Sequence, residues 1–190
     1  MIRKMRTTIA RPADITQYAA GDEISNSATA GSVVRMTFDL TGHTKGRILS
    51  AAIDVTPASG NLVITALDLD MYIFKTPDAP AAVGDNVTNP LTGLQQANSI
   101  GYWRFDDAGW VNQLGALTAG TSGFQKVAAQ VTVPLATPSL QVQHVPGHLF
   151  DFTGQTLAQR ELTVVLRALA AWNPTAVINT FGLTLEFDVD

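Results

Sequence analysis

Alternation between apolar and polar residues fills the last ten positions of the chain, and this pattern most constrains the fold. Apolar side chains occupy every second position: Phe181, Leu183, Leu185, Phe187 and Val189. Successive side chains of a β-strand point to opposite faces, so the segment predicts a strand with one apolar face and one solvated face. In a helix the same residues would be spread around the whole cylinder, which argues against a helix here.

The same period of two recurs earlier in the chain. Three more apolar strand faces are predicted: Val34, Met36, Phe38 and Leu40; Leu49, Ala51, Ile53 and Val55; and Leu67, Leu69, Met71 and Ile73. Further strands are predicted over residues 101–105, 125–133, 140–145 and 162–171. The last of these is apolar on both faces, which is typical of a strand that is covered on both sides.

Short strands separated by glycine and proline, without a long helical segment, indicate the fold class. One or two turns of helix are predicted over residues 90–98. About eight strands of this kind predict an all-β antiparallel β-sandwich, with the jelly roll as the preferred topology. An immunoglobulin-like sandwich is the second topology, although its Cys…Trp…Cys signature is absent. We expect an extended N-terminal arm over residues 1–20 and a single sandwich domain over residues 21–190.

Few side chains are charged, and this composition indicates which kinds of partner the protein can have. Charged residues make up 15% of the chain, against about 25% in an average soluble protein, while hydrophobic residues make up 46%. No uninterrupted apolar run approaches the roughly 18 residues of a membrane span, so we expect no membrane partner. The apolar excess is then shared between the core and subunit contacts, which favours a homo-oligomer over a monomer with a neutral surface.

The chain lacks the groups on which most catalysis depends. It has no cysteine, which excludes thiolate nucleophiles, disulfides and Cys-ligated zinc. It has no nucleophile elbow, P-loop or dinucleotide-binding motif. A net charge of −4 without a basic patch disfavours nucleic acid as a partner. We therefore expect a protein that is not an enzyme.

Basic residues are concentrated at the start of the chain. Arg3, Lys4 and Arg6 are followed by Arg11, whereas three of the last five residues are acidic. These four basic residues are candidate interface residues of an arm that docks on an acidic neighbour, and the alternative is a solvated, frayed terminus. The segment of residues 76–99 is a second candidate contact, because long insertions in compact domains are often functional.

Two histidines have a spacing found in metal sites. His144 and His148 have three residues between them, and Asp151 lies downstream. Histidines at this spacing chelate zinc when they lie on a helix, but Pro146 and Gly147 interrupt any helix here. We interpret both histidines as surface or turn residues and expect no metal site.

Asp68 and Asp70 lie two residues apart on a predicted strand and therefore share a face. Paired carboxylates of this kind can serve glycoside hydrolysis or hold calcium. The simpler interpretation is the solvated face of an amphipathic strand.

Four aromatic residues are crowded into one short stretch: Tyr102, Trp103, Phe105 and Trp110. They can fill one end of the core, anchor a protein interface or stack on sugars. Trp103 and Trp110 are the candidate interface residues among them.

Several stretches of the chain carry a family resemblance. They are Arg11-Pro12-Ala13-Asp14-Ile15-Thr16-Gln17-Tyr18-Ala19-Ala20-Gly21-Asp22, Gly46-Arg47-Ile48-Leu49-Ser50-Ala51, Leu69-Asp70-Met71-Tyr72-Ile73-Phe74 with Asp85-Asn86 after it, and the closing segments 166–174 and 181–190. In this order they resemble a family of tailed-bacteriophage structural proteins of jelly-roll type, the head-decoration or cement proteins. The basic lead and the longer middle of this chain depart from that pattern.

The resemblance implies a virion component on the capsid surface, made in the host cytoplasm, that stabilises the phage head by bridging capsid subunits. Its partners would be the major capsid protein and further copies of itself, with a trimer expected first and a dimer second. The family offers no catalytic, cofactor-binding or metal-binding residues. A receptor- or carbohydrate-binding module of a phage tail is the alternative function.

Overall fold

The computed structural model describes residues 1–57, 68–105, 111–112, 125–128, 148–174 and 178–190. Within them, eleven strands and one short α-helix follow one another along the chain. The strands are β1 (Ile2–Arg11), β2 (Glu23–Ile24), β3 (Thr37–Asp39), β4 (Lys45–Pro57), β5 (Leu69–Lys75), β6 (Gly101–Phe105), β7 (Val111–Asn112), β8 (Gln125–Ala128), β9 (His148–Asp151), β10 (Glu161–Ala168) and β11 (Asn179–Val189). The helix α1 spans Gly93–Asn98, inside the predicted range, and short 3₁₀ turns lie at Ala30–Ser32, Thr76–Asp78 and Leu157–Gln159. None of the described helices is long and apolar enough to span a bilayer.

Strand order identifies the topology. One sheet has the order β1-β11-β4-β8-β7 with β9 also on β4, and the other has the order β2-β10-β5-β6 with β3 also on β10. Eight strands, namely β1, β3, β4, β5, β6, β8, β10 and β11, pair first with last, second with seventh, third with sixth and fourth with fifth. One long antiparallel hairpin rolled around a core gives this arrangement, which is the jelly roll. The predicted fold class and topology are therefore confirmed.

The core lies between the inner faces of the two sheets. All five apolar residues that alternate along β11 are buried, as the sequence predicts. Phe187 of the first sheet packs edge-on against Phe38 of the second at 5.7 Å between ring centroids. The predicted double cover of β10 is also confirmed, because Val165 on its outer face is as fully buried as Val164 and Leu166 on its inner face.

A β-bulge in β4 shifts the predicted alternation by one residue. Pairing with β11 runs from Ser50 opposite Glu186 to Ile48 opposite Phe187, which leaves Leu49 without a partner. An extra residue in one strand reverses the faces of everything beyond it. Ile48 is therefore in the core, and Leu49 is only half-buried, so the prediction that Leu49 faces inward is wrong.

One other strand is shorter than predicted. Val34 was expected on the inner face of a strand, but β3 covers only Thr37–Asp39, and Val34 is 66% exposed in the loop before it. The loop is held there because Asn26 Oδ1 accepts the backbone N–H of Val34. The predicted strand at residues 140–145 lies outside the described residues, as do residues 129–133.

The first residues of the chain form an edge strand of the first sheet. We expected an extended arm over residues 1–20, and Ile2–Arg11 is extended, but it forms the edge strand β1 and pairs with β11 along its whole length. The alternation that continues through Met5 and Ile9 explains this placement, since both pack against the core.

Residues 76–99 cover the outer face of the second sheet. Leu91 and Ala79 of this segment pack against Phe74 and Val165, which point away from the main core. This cover explains why Phe74 and Val165 are buried although they lie on the outer face, and we call residues 76–99 the flap.

The bulge can be tested by comparing two neighbouring truncations. We expect Ile48→Ala to destabilise the protein by about 2–5 kcal/mol, because it empties a fully buried site. Leu49→Ala should cost about 1 kcal/mol or less, since Leu49 is partly in solvent. Urea unfolding of both variants gives the comparison, and the reverse order would contradict the bulge.

Candidate functional site

A buried polar network joins the start of the chain to the flap. Arg11 Nε donates to Tyr18 Oη at 2.8 Å, and Tyr18 Oη donates to Asp85 Oδ2 at 2.6 Å. The other carboxylate oxygen of Asp85 accepts the backbone N–H of Ser25 at 2.8 Å. Arg11 also donates to the backbone and side-chain oxygens of Asp14. Arg11 and Tyr18 are fully buried, so these bonds are shielded from water.

Aromatic rings and burial surround the polar groups of this network. The Arg11 guanidinium lies 5.6 Å from the ring centroid of Trp172, which adds a cation–π contact. Burial raises the pKa of Tyr18 far above its usual value, with further raising by Asp85, so its hydroxyl stays a proton donor. Burial also raises the pKa of Asp85, and the Ser25 N–H and the Tyr18 hydroxyl oppose this effect.

A second set of bonds fastens the flap along its length. Asp22 accepts the Thr88 hydroxyl and the Ala19 backbone N–H, both at 2.7 Å. Glu23 accepts both Arg35 Nε and Nη2 at 2.8 Å, and it also accepts Asn89 Nδ2. The flap is thus held at Thr88 and Asn89 by the adjacent carboxylates of Asp22 and Glu23.

The residues of this network are those that carry the sequence resemblance. Arg11, Asp14, Tyr18 and Asp22 belong to its opening stretch, and Asp85 belongs to the later stretch. The backbone supports the same contacts: Gly21 has φ of 94° and Asn86 has φ of 56°, a region that glycine and asparagine tolerate best. Arg11 therefore stabilises the protomer from within, and it is not accessible to a partner as the interface prediction requires.

The other three basic residues lie on the edge strand β1. Arg6 Nη2 pairs with Asp54 Oδ2 of β4 at 2.8 Å and reaches it by crossing β11 above Gly182. A side chain at Gly182 would fill the space of this ion pair. Arg3 contacts His43 Nε2 at 2.9 Å, and Lys4 lies directly opposite Glu186. Each basic residue thus has a partner or an acidic neighbour within its own protomer.

Among the crowded aromatic residues, Trp103 and Phe105 are core residues. Trp103 is 5% exposed and packs on His148 at 4.4 Å between ring centroids, so it does not present a surface to a partner. Trp110 lies outside the described residues. Only Tyr102 of the described aromatic residues in this stretch lies on the outer face, where it is half-buried.

A half-exposed tyrosine pair marks the outer face of the second sheet. Tyr72 and Tyr102 have ring centroids 4.9 Å apart. Beside them, Asp70 accepts both the Tyr102 hydroxyl and Arg104 Nε at 2.9 Å, and burial together with Asp70 raises the pKa of Tyr102. Arg167 lies opposite Asp70 on β10 and 5.8 Å from the Tyr72 ring. Asp70 is thus used in a cross-strand charged row rather than in a carboxylate pair.

A shallow groove lies on the outer face of the first sheet. Its volume is about 540 Å³, and Leu149, which is 74% exposed, forms one wall. Arg47 lies between Leu149 and Asp188 on the neighbouring strands and pairs with Asp188 at 3.0 Å. Hydrogen bonds from the side chain and the backbone N–H of Thr153, together with the Lys45 ammonium, lower the pKa of the neighbouring Asp151 to about 2. An exposed leucine among balanced charges is suited to contact with another protein.

The histidines have packing and hydrogen-bonding roles. His43 is buried and contacts Arg3 and the Asp190 carbonyl oxygen. Burial lowers the pKa of His148. His144 is outside the described ranges, and the described residues contain no group of three metal-ligating side chains.

Comparison with known proteins gives distant structural likeness only. No protein-family model matches the chain, and no curated protein does. Solved structures with a distant likeness to this chain include the semi-empty VLP of the giant freshwater prawn Macrobrachium rosenbergii nodavirus, with TM-score 0.29 and 15% identity over 100% of this chain and 94% of that chain. The 60-mer BFDV capsid protein has TM-score 0.33 and 12% identity over 98% and 92%, respectively. The strand order, and not these superpositions, defines the fold of this chain.

The buried network can be tested by removing one hydroxyl. Tyr18→Phe should destabilise the protein by about 1–3 kcal/mol, because it leaves Arg11 and Asp85 without their shared partner in a buried site. Tyr102→Phe is the matched control, since Asp70 keeps Arg104 and the site is half-exposed. Urea unfolding gives the free energies, and hydrogen exchange should show faster exchange in the flap for Tyr18→Phe alone. Equal effects of the two variants would contradict the assigned role of the network.

Proposed function

We propose that this chain is a virion structural protein that decorates a phage capsid, self-associates and bridges neighbouring copies of the major capsid protein from outside. The observation that carries the proposal is the meeting of two separate motif stretches, at Arg11–Tyr18 and at Asp85, in one buried network inside a jelly roll. The resemblance to head-decoration proteins thus rests in part on residues that form one buried hydrogen-bonded network. Assembly in the host cytoplasm follows from this role.

The use of the buried carboxylates supports a structural role over an enzymatic one. Five carboxylates are buried in the described part of the chain: Asp22, Glu23, Asp54, Asp70 and Asp85. Each of them accepts hydrogen bonds from side chains or backbone of its own protomer. Carboxylates that accept hydrogen bonds from their own loops and strands in this way make the protomer rigid.

The proposed mechanism is mechanical. A rigid sandwich that touches two capsid subunits adds buried interface, and a standard interface buries on the order of 1,600 Å². Icosahedral repetition multiplies this contact and opposes the outward pressure of packaged DNA. The outer face of the first sheet offers suitable contacts, because it carries Lys4 and the exposed Leu149.

The proposal is tested by co-sedimentation with capsids of the encoding phage that lack this protein. We expect saturable binding, and we expect Lys4→Glu to lower occupancy several-fold while the protein stays folded, because the exposed Lys4 is on the proposed contact face. Lys75→Glu, on the second sheet, is the matched charge reversal and should bind normally. Removing residues 1–10 is less suitable, since it would delete strand β1.

Absence of capsid binding by the wild-type protein would overturn the proposed function. Equal losses for Lys4→Glu and Lys75→Glu would overturn the assigned contact face.

A carbohydrate- or receptor-binding module of a phage tail is the second candidate. The observation that favours it is the Tyr72–Tyr102 pair beside Arg104, because tyrosine rings with polar neighbours can stack on sugars. It predicts glycan-array signals that Tyr102→Ala abolishes and that Tyr18→Phe, which is buried, preserves. An array without signals for the wild-type protein would rule out the carbohydrate-binding form of this role.

A further inference from the structure

The edge strand β1 has one side free for further pairing. Met1 and Val189 exchange both of their backbone hydrogen bonds, so Met1 is at a hydrogen-bonded position of the ladder. Pairing then continues without a bulge from Ile2 to Arg11. Because hydrogen-bonded and non-hydrogen-bonded positions alternate, the odd-numbered residues of β1 bond to β11, and the even-numbered residues point their N–H and C=O groups to the free edge.

These free groups form a regular row. They belong to Ile2, Lys4, Arg6, Thr8 and Ala10, and none of them has a backbone partner among the described residues. The side chains of all five are exposed. An edge strand of this length without a bulge is a template for another strand.

Charged side chains usually protect an edge strand from pairing with another chain. Here two basic side chains of β1 face acidic residues of their own protomer. Arg6 is paired with Asp54, and Lys4 lies opposite Glu186 on β11. Arg3 is held at His43 near the end of the strand. A strand that approaches the free edge therefore meets backbone groups without a strong excess of positive charge.

We propose that β1 pairs antiparallel with β1 of a second copy of this chain, around a two-fold axis that passes between the two Thr7 residues. This inference identifies the contact behind the self-association in the proposed function. It joins the two first sheets into one continuous sheet across the dimer.

The register follows from face and charge. Opposite residues of an antiparallel pair point to the same face, so odd-numbered residues of one copy must face odd-numbered residues of the other. An axis at Thr7 places Lys4 opposite Ala10 and Arg6 opposite Thr8 of the second copy. It also places Arg3 opposite Arg11, whose guanidinium is buried and bonded to Tyr18 and Asp14 of its own protomer. An axis at Arg6 would place two guanidinium groups side by side, and an axis at Thr8 would pair fewer residues.

The same register covers apolar surface. It places Met5 of one copy opposite Ile9 of the other on the core side of the sheet. Met5 is only partly buried in the protomer, and both residues already pack against the core cluster. Pairing would thus extend the core across the axis and add backbone hydrogen bonds at four even-numbered pairs.

A matched pair of proline variants tests the edge. Thr8→Pro removes an N–H that points to the free edge, so it should leave the protomer folded and make it monomeric. Thr7→Pro removes an N–H that bonds to β11, so it should lower the melting temperature. Sedimentation velocity should give twice the chain mass for the wild-type protein and the chain mass for Thr8→Pro, and circular dichroism monitors folding.

Cysteine cross-linking tests the register, because the chain has no cysteine of its own. Opposite residues at a non-hydrogen-bonded position have Cα atoms about 4.5 Å apart, within the range of a disulfide. Thr7→Cys should therefore form a cross-linked dimer under mild oxidation. Ala10→Cys is the control, since its two copies would lie about 20 Å apart at roughly 3.3 Å per residue.

Several outcomes would overturn the pairing. They are a monomeric wild-type protein, an oligomer that persists in a folded Thr8→Pro variant, and cross-linking of Ala10→Cys but not of Thr7→Cys. Capsid co-sedimentation is a separate measurement, so loss of the edge contact and loss of the proposed capsid role can be told apart.

Discussion

The buried contact of Arg11 with Tyr18 and Asp85 is the interaction on which the rest of the structure depends. It connects the end of the first strand to a flap more than seventy residues later in the chain. Without it, the flap that covers Phe74 and Val165 would lose one of its anchors and would keep those at Asp22 and Glu23. Buried polar groups are costly when they lose a hydrogen-bond partner, so each member of this contact depends on the bonds that the others make to it.

Strand β11 has the corresponding role in the first sheet. It lies between β1 and β4, and its apolar residues supply the centre of the core. Gly182 in the same strand leaves room for the Arg6–Asp54 ion pair, which fastens the edge strand to a strand two places away. The apolar core on the inner face of the first sheet and the Arg6–Asp54 ion pair on its outer face therefore stabilise the same three strands, β1, β11 and β4.

Strand faces could be predicted from the sequence wherever alternation was unbroken, as in β11. The prediction failed at Leu49, because a bulge depends on the pairing partner and leaves no mark in the pattern itself. The buried role of Arg11 was hidden for a similar reason. Its partner Asp85 is distant in sequence, and an arginine near a basic terminus suggests exposure until the fold brings the two together.

The small number of charged residues and the free edge of β1 both favour pairing of this strand with a second copy of the chain. Salt bridges such as Arg6–Asp54 neutralise charges next to the free edge, so little local repulsion opposes a strand that approaches it. A strand edge with balanced charge gains hydrogen bonds and apolar cover when it meets its own copy, whereas one with unpaired lysines would not. The proposed self-association would therefore use the backbone of β1 and leave the exposed side chains on the sheet face available for a different partner.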